Sequence, residues 1–283
     1  MKRGLILEGG AMRGMFTAGA LDVMMTHEIE FDGIIGVSAG AAFGCNYKSN
    51  QPGRALRYNK KYCNDPRYCS VQSWIKTGDF YGGEFCYNEL PCHLDPFDSK
   101  AFAASPIAFY VVCTDSDTGK PVYHQCSNGS HEDMQWIRAS ASMPILSRDV
   151  VINGQKLLDG GCSDSVPLKY FESIGYDRNI VILTQPRSYV KKNSSLLPAM
   201  KLMLKKHPYL AEDLATRAER YNEEIKNIYE QEQAGQVMVL TPSADLGIGK
   251  AEKDPDELQR VYELGRQAAL SRLEEMKQFL EGR

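Results

Sequence analysis

Two glycine-rich turns, each lying between a short apolar segment and a helical pattern, constrain the fold of this chain more than any other feature. The first turn is GGAMRG at residues 9–14, directly after a predicted strand at 4–8. The second is GVSAG at residues 36–40, at the end of a predicted strand at 33–37. Because both turns follow strands and precede helices, the sequence predicts an α/β protein with the two turns at one edge of its sheet.

The second turn places a serine, Ser38, between Gly36 and Gly40. A serine on such a bend is strained and projects its hydroxyl above the sheet, and the flanking glycines leave room for close packing of helix on strand. The helix that begins at Ala39 directs free backbone N–H groups towards an anion that forms beside the hydroxyl. This arrangement is typical of a nucleophile, although a chain with 24 glycines can also contain the pattern by accident.

The composition excludes several other classes of protein. The 283 residues carry a net charge of −3, with 24% charged and 43% hydrophobic residues, which argues against disorder and gives no electrostatic case for nucleic-acid binding. The eight cysteines show neither C-x-x-C spacing nor a His–Cys cluster of zinc spacing, so we expect no metal and no cofactor. We expect no signal peptide, because the apolar part of the opening MKRGLIL is too short for one. No apolar run approaches the roughly 18–20 residues that span a bilayer. We expect a cytoplasmic protein with reduced thiols.

Strands and helices alternate along the chain, which predicts a mainly parallel sheet covered by helices. Further strands are predicted at residues 107–114, 121–125 (an antiparallel partner), 179–185 and 237–241. Helices are predicted at about 12–27, after Ser38, in a block at about 196–233 and from Asp254 onwards. The polar and aromatic stretch at about 50–99 has no clear period and is interpreted as a cap or insertion.

A serine needs a base to act as a nucleophile, and the sequence offers an aspartate rather than a histidine. None of the five histidines is framed by glycines or follows a core strand, so each is interpreted as a surface or capping residue. Asp159, in the segment KLLDGG, follows a short apolar strand and precedes two glycines. It is either a base near Ser38 or an ordinary Asp-Gly turn. An unperturbed aspartate has a pKa near 3.9, so the first role requires burial or close hydrogen bonding to the serine.

The first glycine-rich turn is suited to stabilising an oxyanion. Gly10, Ala11 and, as a third candidate, Met12 can present backbone N–H donors, each worth roughly 3–4 kcal/mol in acyl transfer. Arg13 either adds a positive charge nearby or fixes the loop. A Walker A loop does not fit, because Met15 follows Gly14 where a lysine is required. A dinucleotide fingerprint fails because Ala11 replaces its second glycine.

Taken in order, four motifs resemble those of the patatin-like phospholipase family: GGAMRG (9–14), GVSAG (36–40), ASASMP (139–144) and DGG (159–161). Alone, ASASMP indicates only the packing of small residues. The resemblance covers about residues 4–185. The sequence departs from the family pattern at Ala11, where a glycine is usual, and at Ser142, where a small apolar residue is usual. The Ala11 N–H remains available at negative φ, whereas a positive φ would cost about 1 kcal/mol or more.

The resemblance implies a three-layer α/β/α sandwich and hydrolysis of carboxylic esters of lipids through a covalent acyl-serine. It implies a catalytic dyad of Ser38 and Asp159 without histidine. The implied oxyanion hole comprises Gly9, Gly10, Ala11, Arg13 and Ala39, and the implied motif glycines are Gly14, Gly36, Gly40 and Gly160. We expect a single domain over residues 1–283, with the cap at about 50–99 and the helical block at about 196–233.

Several alternatives remain open from the sequence. The same dyad serves an acyltransferase, and the same scaffold serves a non-catalytic lipid-binding module. A histidine triad would have to use His207, the only histidine after Asp159. The helical block either packs on the core or makes peripheral contact with a membrane. The aromatic residues Phe80, Tyr81, Phe85 and Tyr87 either line an acyl pocket or form the core of an insertion. The expected partner is a lipid or other acyl ester, not nucleic acid, and the sequence does not give the oligomeric state.

Overall fold

The computed structural model describes residues 1–205 and 207–282. This part of the chain contains eight strands: β1 (Lys2–Leu7), β2 (Gly33–Val37), β3 (Ala108–Asp115), β4 (Pro121–Cys126), β5 (Val150–Ile152), β6 (Gln155–Asp159), β7 (Tyr176–Ile182) and β8 (Val237–Leu240). It contains eleven α-helices: α1 (Gly14–Thr26), α2 (Ala39–Lys48), α3 (Arg54–Tyr62), α4 (Val71–Thr77), α5 (Ser99–Ala104), α6 (His131–Ser140), α7 (Leu168–Ser173), α8 (Leu197–Met203), α9 (Pro208–Gln233), α10 (Pro255–Ser271) and α11 (Leu273–Glu281). A π-helix covers Phe85–Leu94, and short 3-10 turns cover Ala11–Arg13 and Gly160–Cys162.

The strands form one mixed sheet in the order β5-β6-β3-β2-β1-β7-β8, with β4 also paired to β3. β3, β2, β1, β7 and β8 are parallel neighbours, while β4 and β6 run antiparallel to β3. Leu7 of β1 pairs with Gly36 of β2, which pairs with Val111 of β3. The carboxyl ends of these strands therefore meet at one edge, and both glycine-rich turns lie there as predicted.

Alternating side chains of the sheet face two separate hydrophobic cores. In β1, Leu5 and Leu7 belong to the first core, with α1, α2, α3 and α10, whereas Ile6 belongs to the second. The second core contains Phe171 of α7 and Tyr221 of α9. Helices thus cover both faces of the sheet, and the predicted three-layer α/β/α sandwich is confirmed.

A capping aspartate and a first-turn proline account for the starts of two of the helices. Asp254 accepts a hydrogen bond from the Asp256 N–H at 2.8 Å and caps α10, at the predicted start. The predicted block at 196–233 is two helices rather than one, because Pro208 begins α9 as a first-turn proline and cannot continue α8. In the described part of the chain, no helix combines the length and apolar character needed to cross a membrane.

The stretch at 50–99 is mostly helical, which its sequence did not indicate. Its elements, α3, α4 and the π-helix, are only seven to ten residues long, too short to show a clear period. Tyr62 of α3 and Phe85 of the π-helix pack edge to face at 5.5 Å between ring centroids. Both belong to the first core.

Other differences from the predicted elements are small. The first helix is preceded by the 3-10 turn at Ala11–Arg13, and β7 begins three residues earlier than expected. The short edge strand β5 was not predicted. It pairs only with β6 and alternates buried and exposed residues over three positions, too few to establish a strand period.

Candidate active site

Ser38 lies on the bend between β2 and α2 with φ 55° and ψ −121°. This backbone conformation is rare for a residue with a side chain and costs about 1–3 kcal/mol. The flanking glycines allow close approach of the elements: a Cβ on Gly40 would lie 2.4 Å from the Leu7 carbonyl oxygen, and one on Gly36 would lie 2.6 Å from the Ala41 nitrogen. The GVSAG pattern is thus explained by the geometry of the bend.

Ser140, at the end of α6, holds this bend in place. The Ser38 N–H donates to the Ser140 hydroxyl at 2.9 Å, and that hydroxyl donates to the Val112 carbonyl oxygen at 2.6 Å. Ser140 is fully buried. The segment ASASMP therefore does more than pack small residues, a role that its sequence alone did not indicate.

Ser142, a departure from the family pattern, connects the same segment to Asp159. Its hydroxyl donates to the Arg138 carbonyl oxygen at 2.8 Å, within the end of α6. Its own carbonyl oxygen accepts from the Asp159 N–H at 2.8 Å. This backbone hydrogen bond joins the end of β6 to the turn after α6, and it does not depend on the side chain at position 142.

Asp159 ends β6 and lies beside Ser38, as predicted. Its register partner is Cys113 of β3, the strand next to β2. The carboxylate is 6% exposed and accepts a hydrogen bond from the Gly161 N–H at 2.8 Å. Burial raises the pKa of Asp159, while the Ser38 hydroxyl and the positive charge of Arg217 oppose that rise. The DGG segment thus places a buried carboxylate facing the serine.

The turn at 9–14 is held above the sheet by buried polar contacts. Glu8 accepts hydrogen bonds from the Thr184 N–H at 2.6 Å and from the Tyr221 hydroxyl at 2.8 Å. The Thr184 hydroxyl lies 3.1 Å from the Gly9 carbonyl oxygen. Glu8 follows β1, Thr184 follows β7 and Tyr221 belongs to α9. Because they are so far apart in the chain, no sequence pattern indicated that they act together.

Ala11 adopts φ 49°, a positive value that costs an alanine about 1–2 kcal/mol. Gly10, before it, is extended at φ −177°. No described residue accepts a hydrogen bond from the N–H groups of Gly10, Ala11 or Ala39. These donors are therefore free for a ligand.

The remaining predicted residues support this arrangement. Gly14 faces the ring of Phe43 in α2, and Gly160 faces the backbone of Val112 in β3. Arg13 lies within the turn at 9–14, and its Nε is buried without a hydrogen-bond partner among the described residues.

Two cavities meet at Ser38 and Ala11, which line both of them. The first has an empty volume of about 810 Å³ and is mainly apolar and aromatic. Its lining includes Phe43, Tyr58, Tyr81, Tyr87, Leu90 and Met134. Of the aromatic stretch, Tyr81 and Tyr87 line this cavity whereas Phe85 packs in the first core. The acyl pocket stays a prediction.

The second cavity, with an empty volume of about 1100 Å³, is more polar than the first and is called the polar cavity below. It contains the carboxylates of Glu8 and Asp159 and four cationic side chains: Arg13, Lys191, Arg217 and Lys250. The last three come from loops and a helix beyond the four motifs. Sequence reasoning missed them because no local pattern distinguishes them from other surface cations.

None of the described residues that line these two cavities is a histidine. His207 lies 3.9 Å from Asp117, and His124 stacks on Trp136 at 4.0 Å. His124, Cys126 and Asp133 bring three potential ligand atoms within 4.8 Å of one another, a grouping that their sequence spacing did not indicate. Asp133 already accepts three backbone N–H bonds from residues 127–129, which accounts for it as the anchor of that turn.

The fold and the site define a class of protein: a three-layer α/β/α sandwich with a serine on a strand-to-helix bend beside a buried aspartate. The family model for patatin-like phospholipase matches residues 5–172. This match covers more than half of the chain, and the chain belongs to the patatin-like phospholipase family. A second model, a domain of unknown function (DUF6363), matches residues 207–281.

The relatives and structures that resemble this chain are distant. The uncharacterized protein YjjU of Escherichia coli strain K12 is 31% identical over 192 residues, which are 64% of this chain and 52% of that protein. Lysophospholipase nte1 of Aspergillus oryzae is 26% identical over 184 residues, which are 62% of this chain and 11% of that protein. The chain thus matches about half the length of the first relative and about a tenth of the second. The crystal structure of VipD from Legionella pneumophila superposes with a TM-score of 0.42 at 10% identity, covering 95% of this chain and 67% of that one.

Proposed function

We propose that this protein is a serine acyl hydrolase that cleaves carboxylic esters of lipids through a dyad of Ser38 and Asp159. The observation that carries this proposal is the position of Ser38, on a strained bend between an apolar and a polar cavity, facing a buried carboxylate. Membership of the patatin-like phospholipase family supports lipid hydrolysis.

In the first half-reaction, the Ser38 hydroxyl oxygen attacks the ester carbonyl carbon and its proton passes to Asp159. The tetrahedral intermediate collapses, the ester C–O bond breaks, and Asp159 returns the proton to the departing alcohol. Water then attacks the acyl-serine, with its proton taken by Asp159, and collapse releases the fatty acid as the proton returns to Ser38. Burial, which raises the pKa of Asp159, makes it a stronger base than an exposed aspartate.

The free N–H groups of Gly10, Ala11 and Ala39 are the proposed donors to the oxyanion. Fixed donors of this kind contribute roughly 3–4 kcal/mol each to stabilising the transition state. The negative φ expected at Ala11 is not found, and the positive value adds strain. An alanine still carries a backbone N–H, so the departure from the family pattern removes no donor group. Gly9 and Arg13 support the turn that carries these groups.

The apolar cavity is the proposed site of the acyl chain. Tyr58, Tyr87 and Leu90 offer it an aromatic and aliphatic lining, and burial of apolar surface contributes about 25 cal/mol per Å². The alcohol part of the ester then lies on the opposite side of Ser38, in the polar cavity.

The histidine triad has little support, because His207 lies beside Asp117 and lines neither cavity at Ser38. An acyltransferase and a hydrolase share the first half-reaction. Analysis of the products formed with added glycerol separates them, since a transferase yields a new ester and a hydrolase yields only free fatty acid.

The test of the proposed function is hydrolysis of p-nitrophenyl esters of increasing chain length. We expect Ser38→Ala and Asp159→Asn each to abolish hydrolysis while remaining folded by circular dichroism. The matched controls are Ser195→Ala and Asp177→Asn, which change exposed residues outside both cavities and are expected to retain activity. Full activity in Ser38→Ala would show that Ser38 is not the nucleophile. Full activity in Asp159→Asn would show that Asp159 is not the base.

Contact with a membrane surface is a further part of the proposal. Leu196, Leu202 and Met203, in and next to α8, are more than 60% exposed, and Met200 of the same helix lines the polar cavity. Lys201 lies in α8 and Lys205 follows it by two residues, and both would favour an anionic lipid surface. Sedimentation with anionic vesicles tests this contact: replacement of Leu202 and Met203 by serine is expected to reduce binding, and unchanged binding would contradict it.

We infer that residues 5–172 and 207–281 act as one structural unit. β8 extends the central sheet beside β7, and Tyr221 of α9 donates to Glu8 in the turn after β1. The cytoplasmic location expected from the sequence stays a prediction, with which the free thiols of all eight cysteines agree.

A further inference from the structure

More basic side chains than carboxylates line the polar cavity beside Ser38. Four cations, Arg13, Lys191, Arg217 and Lys250, line it together with two carboxylates. The cationic side chains therefore outnumber the carboxylates, whose hydrogen bonds come from neutral groups of the protein. Glu8 accepts bonds from Thr184 and Tyr221, and Asp159 accepts from Gly161 and faces Ser38.

Two of these cations, Arg13 and Arg217, have a buried guanidinium nitrogen, the Nε atom, without a partner among the described residues. On α9, Asp213 precedes Arg217 by four residues, a spacing at which salt bridges form. Asp213 instead pairs with Arg220 at 3.1 Å. Arg217 lines the cavity, with Nη2 only 3.0 Å from the position of a Cβ on Gly161.

Lys191 is packed among these charges. Its Nζ lies 3.8 Å from the centre of the Tyr221 ring. Burial and the charge of Arg217 are the main causes that lower the pKa of Lys191 to about 7, with smaller contributions from Arg13 and Lys250 and with Glu8 opposing them. Mutual repulsion among cations that outnumber the carboxylates of their cavity is typical of a site for an anion.

From these contacts we propose that the polar cavity binds the phosphate of the substrate's alcohol part and selects a phosphomonoester over a zwitterionic or uncharged headgroup. This inference rests on the proposed function. Guanidinium groups bind phosphate through paired, charge-assisted hydrogen bonds. A choline headgroup would add positive charge to a cavity in which basic side chains outnumber carboxylates. The face of the Tyr221 ring, a possible site for choline, is already occupied by Lys191.

Three of the four cations lie outside the region that matches the patatin-like model. Arg217 and Lys250 fall within residues 207–281, which match the domain of unknown function, and Lys191 lies between the two matched regions. In this proposal the later part of the chain supplies most of the phosphate site, and the N-terminal region supplies the dyad and Arg13.

The test compares three esters of one acyl chain, each below its critical micelle concentration: lysophosphatidic acid, lysophosphatidylcholine and monoacylglycerol. The wild-type kcat/KM is expected to be about tenfold to hundredfold higher for lysophosphatidic acid than for monoacylglycerol, the range of charge-assisted hydrogen bonds. Arg217→Gln and Lys250→Gln are expected to reduce that ratio by about tenfold each. The matched control is Lys192→Gln, an exposed lysine next to Lys191, which is expected to leave the ratio unchanged.

Equal kcat/KM for the three esters, or a ratio that survives in both variants, would overturn the proposal. Glycerol phosphate is expected to inhibit ester hydrolysis in competition with the substrate. That result would assign the phosphate site to the headgroup of the substrate. Inorganic phosphate that binds without inhibiting hydrolysis would overturn that assignment in favour of a free phosphate ligand.

A binding measurement separates failure of the phosphate site from failure of the proposed hydrolase activity. If the wild type cleaves none of the esters, calorimetric titration of Ser38→Ala with glycerol phosphate still decides the site. Binding that Arg217→Gln weakens about tenfold supports the phosphate site, and absence of binding overturns it.

Discussion

The backbone N–H of Ser38 donates a hydrogen bond to the hydroxyl of Ser140 at 2.9 Å, across 102 positions of the chain. The same hydroxyl donates to the Val112 carbonyl at 2.6 Å. One buried side chain thus fixes the bend after β2 against the end of β3. Because the bend carries the proposed nucleophile, its position depends on a residue that does not touch the reacting atoms.

The first prediction concerns Ser140→Ala, which leaves the Ser38 N–H and the Val112 carbonyl without their partner. We expect a loss of about 1–3 kcal/mol in the free energy of unfolding and a fall in kcat of roughly tenfold to hundredfold from misplacement of Ser38. KM is expected to change little, because neither cavity loses a lining group. Denaturant unfolding and steady-state hydrolysis of a p-nitrophenyl ester measure these effects.

The control for this prediction is Ser142→Ala, two residues further on. Its hydroxyl donates to Arg138 within the end of α6 and does not reach the bend. It should lower stability by about 1 kcal/mol and leave kcat near the wild-type value. Equal losses of kcat in both variants would contradict a positioning role for Ser140.

The second prediction concerns the strain at Ser38. Ser38→Ala and Ser38→Gly both remove the hydroxyl, but only glycine accepts φ 55° without penalty. We expect Ser38→Gly to be more stable than Ser38→Ala by about 1 kcal/mol in denaturant unfolding. Equal stability of the two variants would limit the strain at Ser38 to the entropic cost of glycine, about 0.5–1 kcal/mol, and lower stability of Ser38→Gly would contradict the strain assigned to the bend.

The parts of the fold that depend on local patterns could be predicted from the sequence. The strands before Ser38 and Asp159 could be predicted because each contains a short apolar run beside glycines. The glycine-rich turns could be predicted because they follow such strands. The roles of Ser140, Arg217 and Lys250 could not be predicted, because their partners lie far away in sequence and only the folded sheet brings them to one edge. The helices of residues 50–99 were missed because they are too short to show a period.

The third prediction concerns Ala11, whose φ of 49° could not be read from the sequence. Ala11→Gly relieves a left-handed alanine that costs about 1–2 kcal/mol, partly offset by the greater unfolded-state entropy of glycine, about 0.5–1 kcal/mol. We expect a gain in stability of up to about 1 kcal/mol with ester hydrolysis retained, since the N–H remains. A clear loss of stability in thermal and denaturant unfolding would contradict the strain assigned to this turn.

The fourth prediction is a pH dependence set by Asp159. Burial raises its pKa, and a base must be ionised, so kcat/KM for an uncharged ester should fall as the pH falls through that raised pKa. The positive charge of Arg217 lowers the pKa of Asp159, so Arg217→Gln should move this acidic limb to higher pH. The other groups that favour the ionised form are the Ser38 hydroxyl, the Gly161 N–H and Lys250.

The control for the pH profile is Lys192→Gln, in which the acidic limb should lie at the same pH as in the wild type. A limb that stays in place in Arg217→Gln would show that Arg217 does not act on the base.

Covalent labelling tests most directly whether Ser38 is a nucleophile activated by Asp159. Intact-mass spectrometry after treatment with a fluorophosphonate should show one adduct on the wild-type chain, and peptide mapping should place it on Ser38. Ser38→Ala should remain unlabelled and Asp159→Asn should label much more slowly. An unmodified wild type, or an adduct that persists in Ser38→Ala, would contradict the proposed dyad.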